Sequence, residues 1–203
     1  MPRLDLPPAI RERLLVEIYK QADELDWELL GNGLKTDQYR KWIEDERVGG
    51  VLLSFHQEKD VRVWIKDVPM KEYGRSQEGI GNYVRYVPRR YRGADEIVHA
   101  AFGPGWEVVP DSLDEKPNHC YATNGETKRY VCWGRAASFR DLVWAALNQA
   151  VRSDRRPAIV ITTRNGEHIA GAESEYQKLI AEHCGVDLKH LHRSMIPNPD
   201  YVG

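Results

Sequence analysis

The residues from Val61 to Arg92 carry six arginines (Arg62, Arg75, Arg85, Arg89, Arg90, Arg92) and two lysines (Lys66, Lys71) against three acids (Asp67, Glu72, Glu78). Trp64, Tyr73, Tyr83, Tyr86 and Tyr91 are interleaved with those charges. A guanidinium grips phosphate through its forked N–H groups, and a flat ring stacks on a base. The pattern predicts a site for a phosphate-bearing ligand, a nucleotide or a short nucleic acid. Arg62, Lys66, Arg75, Arg85, Arg89, Arg90 and Arg92 would meet phosphate, while Trp64, Tyr83, Tyr86 or Tyr91 stacks on a base. A competing expectation is an arginine-rich surface tied by ion pairs to an acidic N-terminal region, since residues 1–47 hold eleven acids against eight bases.

A second chemistry is metal-assisted phosphodiester cleavage, which needs carboxylates around Mg²⁺ and a lysine to steady the attacking water. Asp60, Lys66 and Asp67 are the candidate catalytic set for such a phosphodiesterase or nuclease, with Mg²⁺ as its cofactor. No D-x-n-(D/E)-x-K pattern is present on the hairpin described below. A third expectation is a non-catalytic interaction or assembly protein whose basic segment docks on an acidic protein partner. His119, Cys120 and Cys132 form one histidine–cysteine grouping and His183, Cys184, His190 and His192 another. If the hairpin brings Cys120 and Cys132 together they would approach each other or share a metal, but neither grouping has the paired short spacings zinc prefers. A thiol nucleophile, Cys120 or Cys132, would need His119, His99 or His168 as its base. His119 and Cys120 are adjacent on a strand and point to opposite faces.

Net charge is −2 over 203 residues, which suits a confined anionic ligand better than a long duplex. Three cysteines, an odd and sparse set, point to a reducing compartment. The opening MPRLDLPPAIRERLL scatters charge where a signal peptide has an apolar region, and no apolar run approaches membrane length. These features predict a cytoplasmic protein with no membrane partner.

The elements that must hold these residues are read from periodicity. Ile10, Leu14, Leu15, Ile18, Ala22, Leu25 and Leu29 predict a first helix, ended by Gly31-Asn32-Gly33. A second helix starts at Thr36 as N-cap and breaks at Gly49-Gly50. Val51 to Phe55 and Val61 to Lys66 read as strands joined by a loop over Gln57 to Asp60, which sets Arg62, Trp64 and Lys66 in a row on one sheet face. Residues 67–92 read as a loop-rich excursion with a short helix near Asn82 to Val87. Gly93 to Phe102 is a short helix and Trp106 to Val109 a strand. His119 to Thr123 and Lys128 to Trp133 form a hairpin with Asn124-Gly125 in the turn. Ser138 to Arg152 is a helix opening on Ser138 and Asp141, Ala158 to Thr163 a buried strand, Asn165-Gly166 a turn, and Glu173 to Cys184 a last helix before a polar tail. Trp27, Trp42, Trp106 and Trp133 are expected in core or at element ends, and Trp144, off its helix's apolar stripe, against a second packing layer.

The fold class is therefore α+β, a mixed α/β arrangement in a single domain. A helical part, 1–48, precedes an α/β core, 49–203, whose mixed sheet is flanked by helices as a layered sandwich. The αβββαβ order of the second half also occurs in PD-(D/E)xK nuclease cores and in many unrelated proteins.

Overall fold

The computed structural model describes residues 5–152, 155–164 and 166–203. The chain forms two compact units, Met1–Tyr91 with Met195–Gly203, and Arg92–Ser194.

The first unit is helical. Helix α1 (Pro8–Glu24) opens on a proline, whose missing N–H is one the first turn leaves unused anyway. It buries Leu14, Leu15, Ile18, Tyr19 and Ala22. It stops at Glu24, earlier than predicted, because Asp26 turns the chain in a left-handed conformation (φ 46°) into a 3-10 turn over Trp27–Leu29. Gly31 stands ahead of α2 (Asn32–Glu44) and does not end α1. Thr36 lies inside α2, where its hydroxyl donates back to the Asn32 carbonyl at 2.9 Å. Trp42 is the fully buried residue of α2, and its indole N–H donates to Gln21 at 2.7 Å.

The two strands expected between residues 51 and 66 are helices. Gly49 and Gly50 open α3 (Gly49–Leu53), and α4 (Glu58–Asp67) follows after a short turn. The alternation of Val61, Val63 and Ile65 was misleading: Val61, Trp64 and Ile65 are buried at helical spacing, while Val63 stays 38% exposed. Gly49 is required by space, since a Cβ there would lie 1.9 Å from the Ile43 carbonyl oxygen. Helix α5 (Pro69–Gln77) occupies much of the stretch read as loop, and a 3-10 turn at Val84–Tyr86 stands where a short helix was expected. Strand β1 (Arg89–Tyr91) then pairs antiparallel with β7 (Met195–Pro197). The tail is thus structural: Asn198 is buried and its amide donates to the Val84 and Val87 carbonyls at 2.7 and 2.8 Å.

The second unit is a mixed α/β sandwich. It runs α6 (Ala94–Phe102), β2 (Glu107–Val108), β3 (Asn118–Thr123), β4 (Lys128–Gly134), α7 (Phe139–Ala150), β5 (Ala158–Thr163), α8 (Gly171–His183) and β6 (Asp187–His192). The sheet order is β2-β3-β4-β5-β6, antiparallel through β4 and parallel from β4 to β6. Cys120, Ala122, Val131 and Trp133 pack with Ile97 and Val98 of α6 on one face. Tyr130, Cys132, Ile159 and Ile161 pack with Phe139, Leu142 and Ala146 of α7 on the other, where Ile180 of α8 also rests. Helix α7 follows a 3-10 turn, and Ser138 makes no side-chain capping hydrogen bond. Asn165 of the predicted Asn165-Gly166 turn lies outside the described residues. Trp144 is 68% exposed on α7, so among the described residues no second packing layer covers it. Among the described residues no helix is long and apolar enough to cross a membrane.

Candidate functional site

Helix formation splits the expected Arg62–Trp64–Lys66 row. Arg62 and Lys66 are one turn apart on the exposed face of α4, with Lys59 beside them, while Trp64 is buried on the opposite side. Asp60 and Asp67 stand two turns apart on the same helix, roughly 10 Å along its axis. Among the described residues no three of His, Cys, Asp or Glu come together as a metal site.

The later arginines of the basic stretch are engaged by acids of their own unit. Arg75 pairs with Glu72 at 2.5 Å. Arg85 pairs with Glu12, donates to the Tyr86 hydroxyl at 2.7 Å, and lies 4.9 Å from the centre of that ring. Arg89 bonds Asp23 at 2.8 Å and Asp26 at 3.3 Å, and also donates to the Asp23 carbonyl. Arg90 pairs with Asp200 at 3.6 Å. Tyr86 and Tyr91 are buried, and the half-buried Tyr83 accepts a hydrogen bond from Arg11 at 2.5 Å. Arg92 is exposed at the start of the second unit, where its carbonyl accepts a hydrogen bond from Arg193. Of these, Arg85 and Arg89 pair with acids of the N-terminal region, Glu12 and Asp23 of α1 and Asp26 just after it, while Arg75 and Arg90 pair elsewhere in the unit.

A cleft in the second unit gathers residues that no contiguous stretch announced. It has a volume of about 400 Å³ and is lined by Tyr121, Lys128, Tyr130, Gln149, Arg152 and Arg155. Alternation along the hairpin builds it. Tyr121 of β3 and Tyr130 of β4 are directly paired, so they share the α7 side of the sheet, and Lys128 joins them two residues earlier. The end of α7 supplies Gln149, and Arg152 and Arg155 follow it. The Tyr121 hydroxyl donates to Gln149 at 3.1 Å, and the Tyr121 and Tyr130 rings meet edge-to-face at 5.8 Å. The Lys128 ammonium sits 4.4 Å from the centre of the Tyr121 ring. Burial raises the Tyr130 phenol above its ordinary value, so its hydroxyl stays protonated at neutral pH.

Among the described residues no carboxylate lines this cleft. Lys128 and Arg152 bring positive charge to the end of α7, where the helix itself carries a partial negative charge. Arg129 and Arg156 lie at the same end of the strands, both bonded to Asp187, and Arg129 also donates to the Arg156 carbonyl at 3.0 Å. Such a wall attracts a compact anion and offers it N–H and O–H donors. The sequence signals were the two tyrosines in register across the hairpin and the run of arginines after α7.

The histidine–cysteine groupings come apart. Cys120 and Cys132 occupy opposite faces of the sheet, so the two thiols do not face each other as expected. Both are buried, and burial pushes each thiol up to about 12, far from a thiolate nucleophile. His119 lies against Tyr130 and bonds the Pro117 carbonyl at 2.8 Å. His190 bonds Gln177 at 3.0 Å and His192 bonds Thr163 at 3.2 Å.

No protein-family model, curated protein or solved structure matches this chain.

Proposed function

We propose that this protein recognises a phosphate-bearing ligand, a nucleotide or a short nucleic acid, in the cleft between the β3–β4 hairpin and the end of α7, and that it does so in the cytoplasm. One observation carries the reading: Lys128, Arg152, two tyrosines and a glutamine converge on a cleft with no carboxylate among its described lining residues. The volume is in the range of small-ligand sites. Lys128 and Arg152 hold the phosphate oxygens, the Tyr130 hydroxyl donates to them, and Tyr121 offers its ring once Lys128 swings onto the anion. Arg89 and Arg90, strong candidates from composition, serve the helical unit instead, because their charges are already met by Asp23, Asp26 and Asp200.

Titration with a fluorescent nucleotide at low and high salt tests this. Lys128→Ala and Arg152→Ala should each weaken binding about tenfold, the order of one charged hydrogen bond. Wild-type binding should fade as salt rises. If both variants melt like the wild type and bind equally well, the cleft is not the site.

A further inference from the structure

Helix α4 carries a second cationic surface that the cleft does not explain. Lys59, Arg62 and Lys66 follow i, i+3, i+7 spacing, which places them in one stripe on the side opposite buried Val61, Trp64 and Ile65. All three are exposed. Among the described residues none of them takes part in a hydrogen bond or ion pair, in contrast to Arg75, Arg85, Arg89 and Arg90 on the same unit. Glu58 and Asp67 border the stripe at its two ends, and Val63 lies along its edge, 38% exposed. The unit therefore neutralises most of its arginines and leaves this row turned to solvent.

We infer that the α4 stripe of the helical unit contacts the phosphodiester backbone of a single-stranded nucleic acid. This rests on the phosphate-recognition reading of the cleft and extends it. Charge complementarity selects the occupant: three cations spread over two helical turns, roughly 10 Å, match consecutive phosphates better than one compact anion. The short length of the stripe and a net charge of −2 fit a few nucleotides of single strand rather than a coated duplex. Val63 adds an apolar edge on which a base or sugar can rest.

The test uses the full chain with two probes, thymidine monophosphate and a short oligothymidylate, and compares wild type, K59A/R62A/K66A and K128A/R152A. Each phosphate contact on a single strand contributes about 0.7 to the slope of log affinity against log salt, so the α4 variant should lose about 2 from the slope for the oligomer. Its binding of the mononucleotide should not change, since that ligand needs the cleft alone. An oligomer bound with the wild-type slope by the α4 variant overturns the inference and leaves the cleft intact. Mononucleotide binding untouched by K128A/R152A, with the oligomer's salt slope still reduced in the α4 variant, sinks the cleft and spares the stripe. Equal competition by polyglutamate for the α4 surface would mark it as a dock for acidic protein, and that also overturns the inference.

Discussion

Among the described glycines, Gly49 leaves the least room for a side chain. The first carbon of any side chain would enter the Ile43 carbonyl, a backbone atom that cannot rotate away. Gly49→Ala should cost about 1–3 kcal/mol through forced backbone shifts, read as a lower midpoint in chemical denaturation; a midpoint equal to the wild type would show that α2 and α3 approach less closely. The cysteines make a second residue-scale prediction. Cys120 and Cys132 are buried on opposite sheet faces with thiols pushed up to about 12, whereas Cys184 is half-buried at the end of α8. A thiol reagent at pH 8 should label Cys184 first and reach the other two only on unfolding. Because burial keeps those two thiols protonated in the fold above their unfolded value, their contribution to stability is full below pH 9. It is lost as pH rises from there toward 12. Mass mapping of the labelled cysteines along a denaturant series checks the order.

Among the elements, β1 shows how composition and role diverge. Arg89 looks like a ligand contact when read in a basic run, yet its guanidinium closes on Asp23, whose side chain is only 11% exposed and whose second oxygen has no hydrogen-bond partner. Removing Arg89 leaves a nearly buried carboxylate uncompensated, so Arg89→Ala should lower stability by about 1–3 kcal/mol. Nucleotide affinity measured below the melting transition should stay at the wild-type value; a loss of affinity with unchanged stability would return Arg89 to the binding site. The same contrast explains what was legible. Helices α1 and α7 announce themselves by one apolar stripe of helical period, and strand β5 and the β3–β4 hairpin by short apolar runs bounded by turn residues. Helix α4 does not, because Val61, Val63 and Ile65 alternate by chance, and only the burial of Trp64 distinguishes a helix from a strand. Strand β6 (DLKHLH) escapes notice as an edge strand studded with Lys and His, and β7 is three residues in a proline-flanked tail. The basic stretch was visible, but its partners Glu12, Asp23, Asp26 and Asp200 are distant in sequence. The six residues of the cleft span positions 121 to 155 and meet only through the topology of the sheet.

For the whole molecule, the decisive fact is that Arg92–Ser194 is one continuous stretch with its own sheet and two apolar layers, while the helical unit needs Met195–Gly203 to finish its two-stranded sheet. Residues 92–194 expressed alone should therefore fold cooperatively and retain mononucleotide binding. A fragment that shows no cooperative melt would mean the sandwich depends on the rest of the chain. The converse truncation, removal of residues 195–203, should unsettle the helical unit, since it takes away β7 and the Asn198 amide that satisfies two carbonyls.

Tyr91 and Met195 are partners in the β1–β7 ladder. The chain departs from the helical unit after one of them and re-enters at the other, so the α/β unit is spliced into what is, for the helices, an ordinary hairpin. A two-residue turn is all that is needed to close such a pair. Excising the insert and rejoining the ladder there would leave a self-contained helical protein of about a hundred residues, and the same seam would accept a different domain in its place.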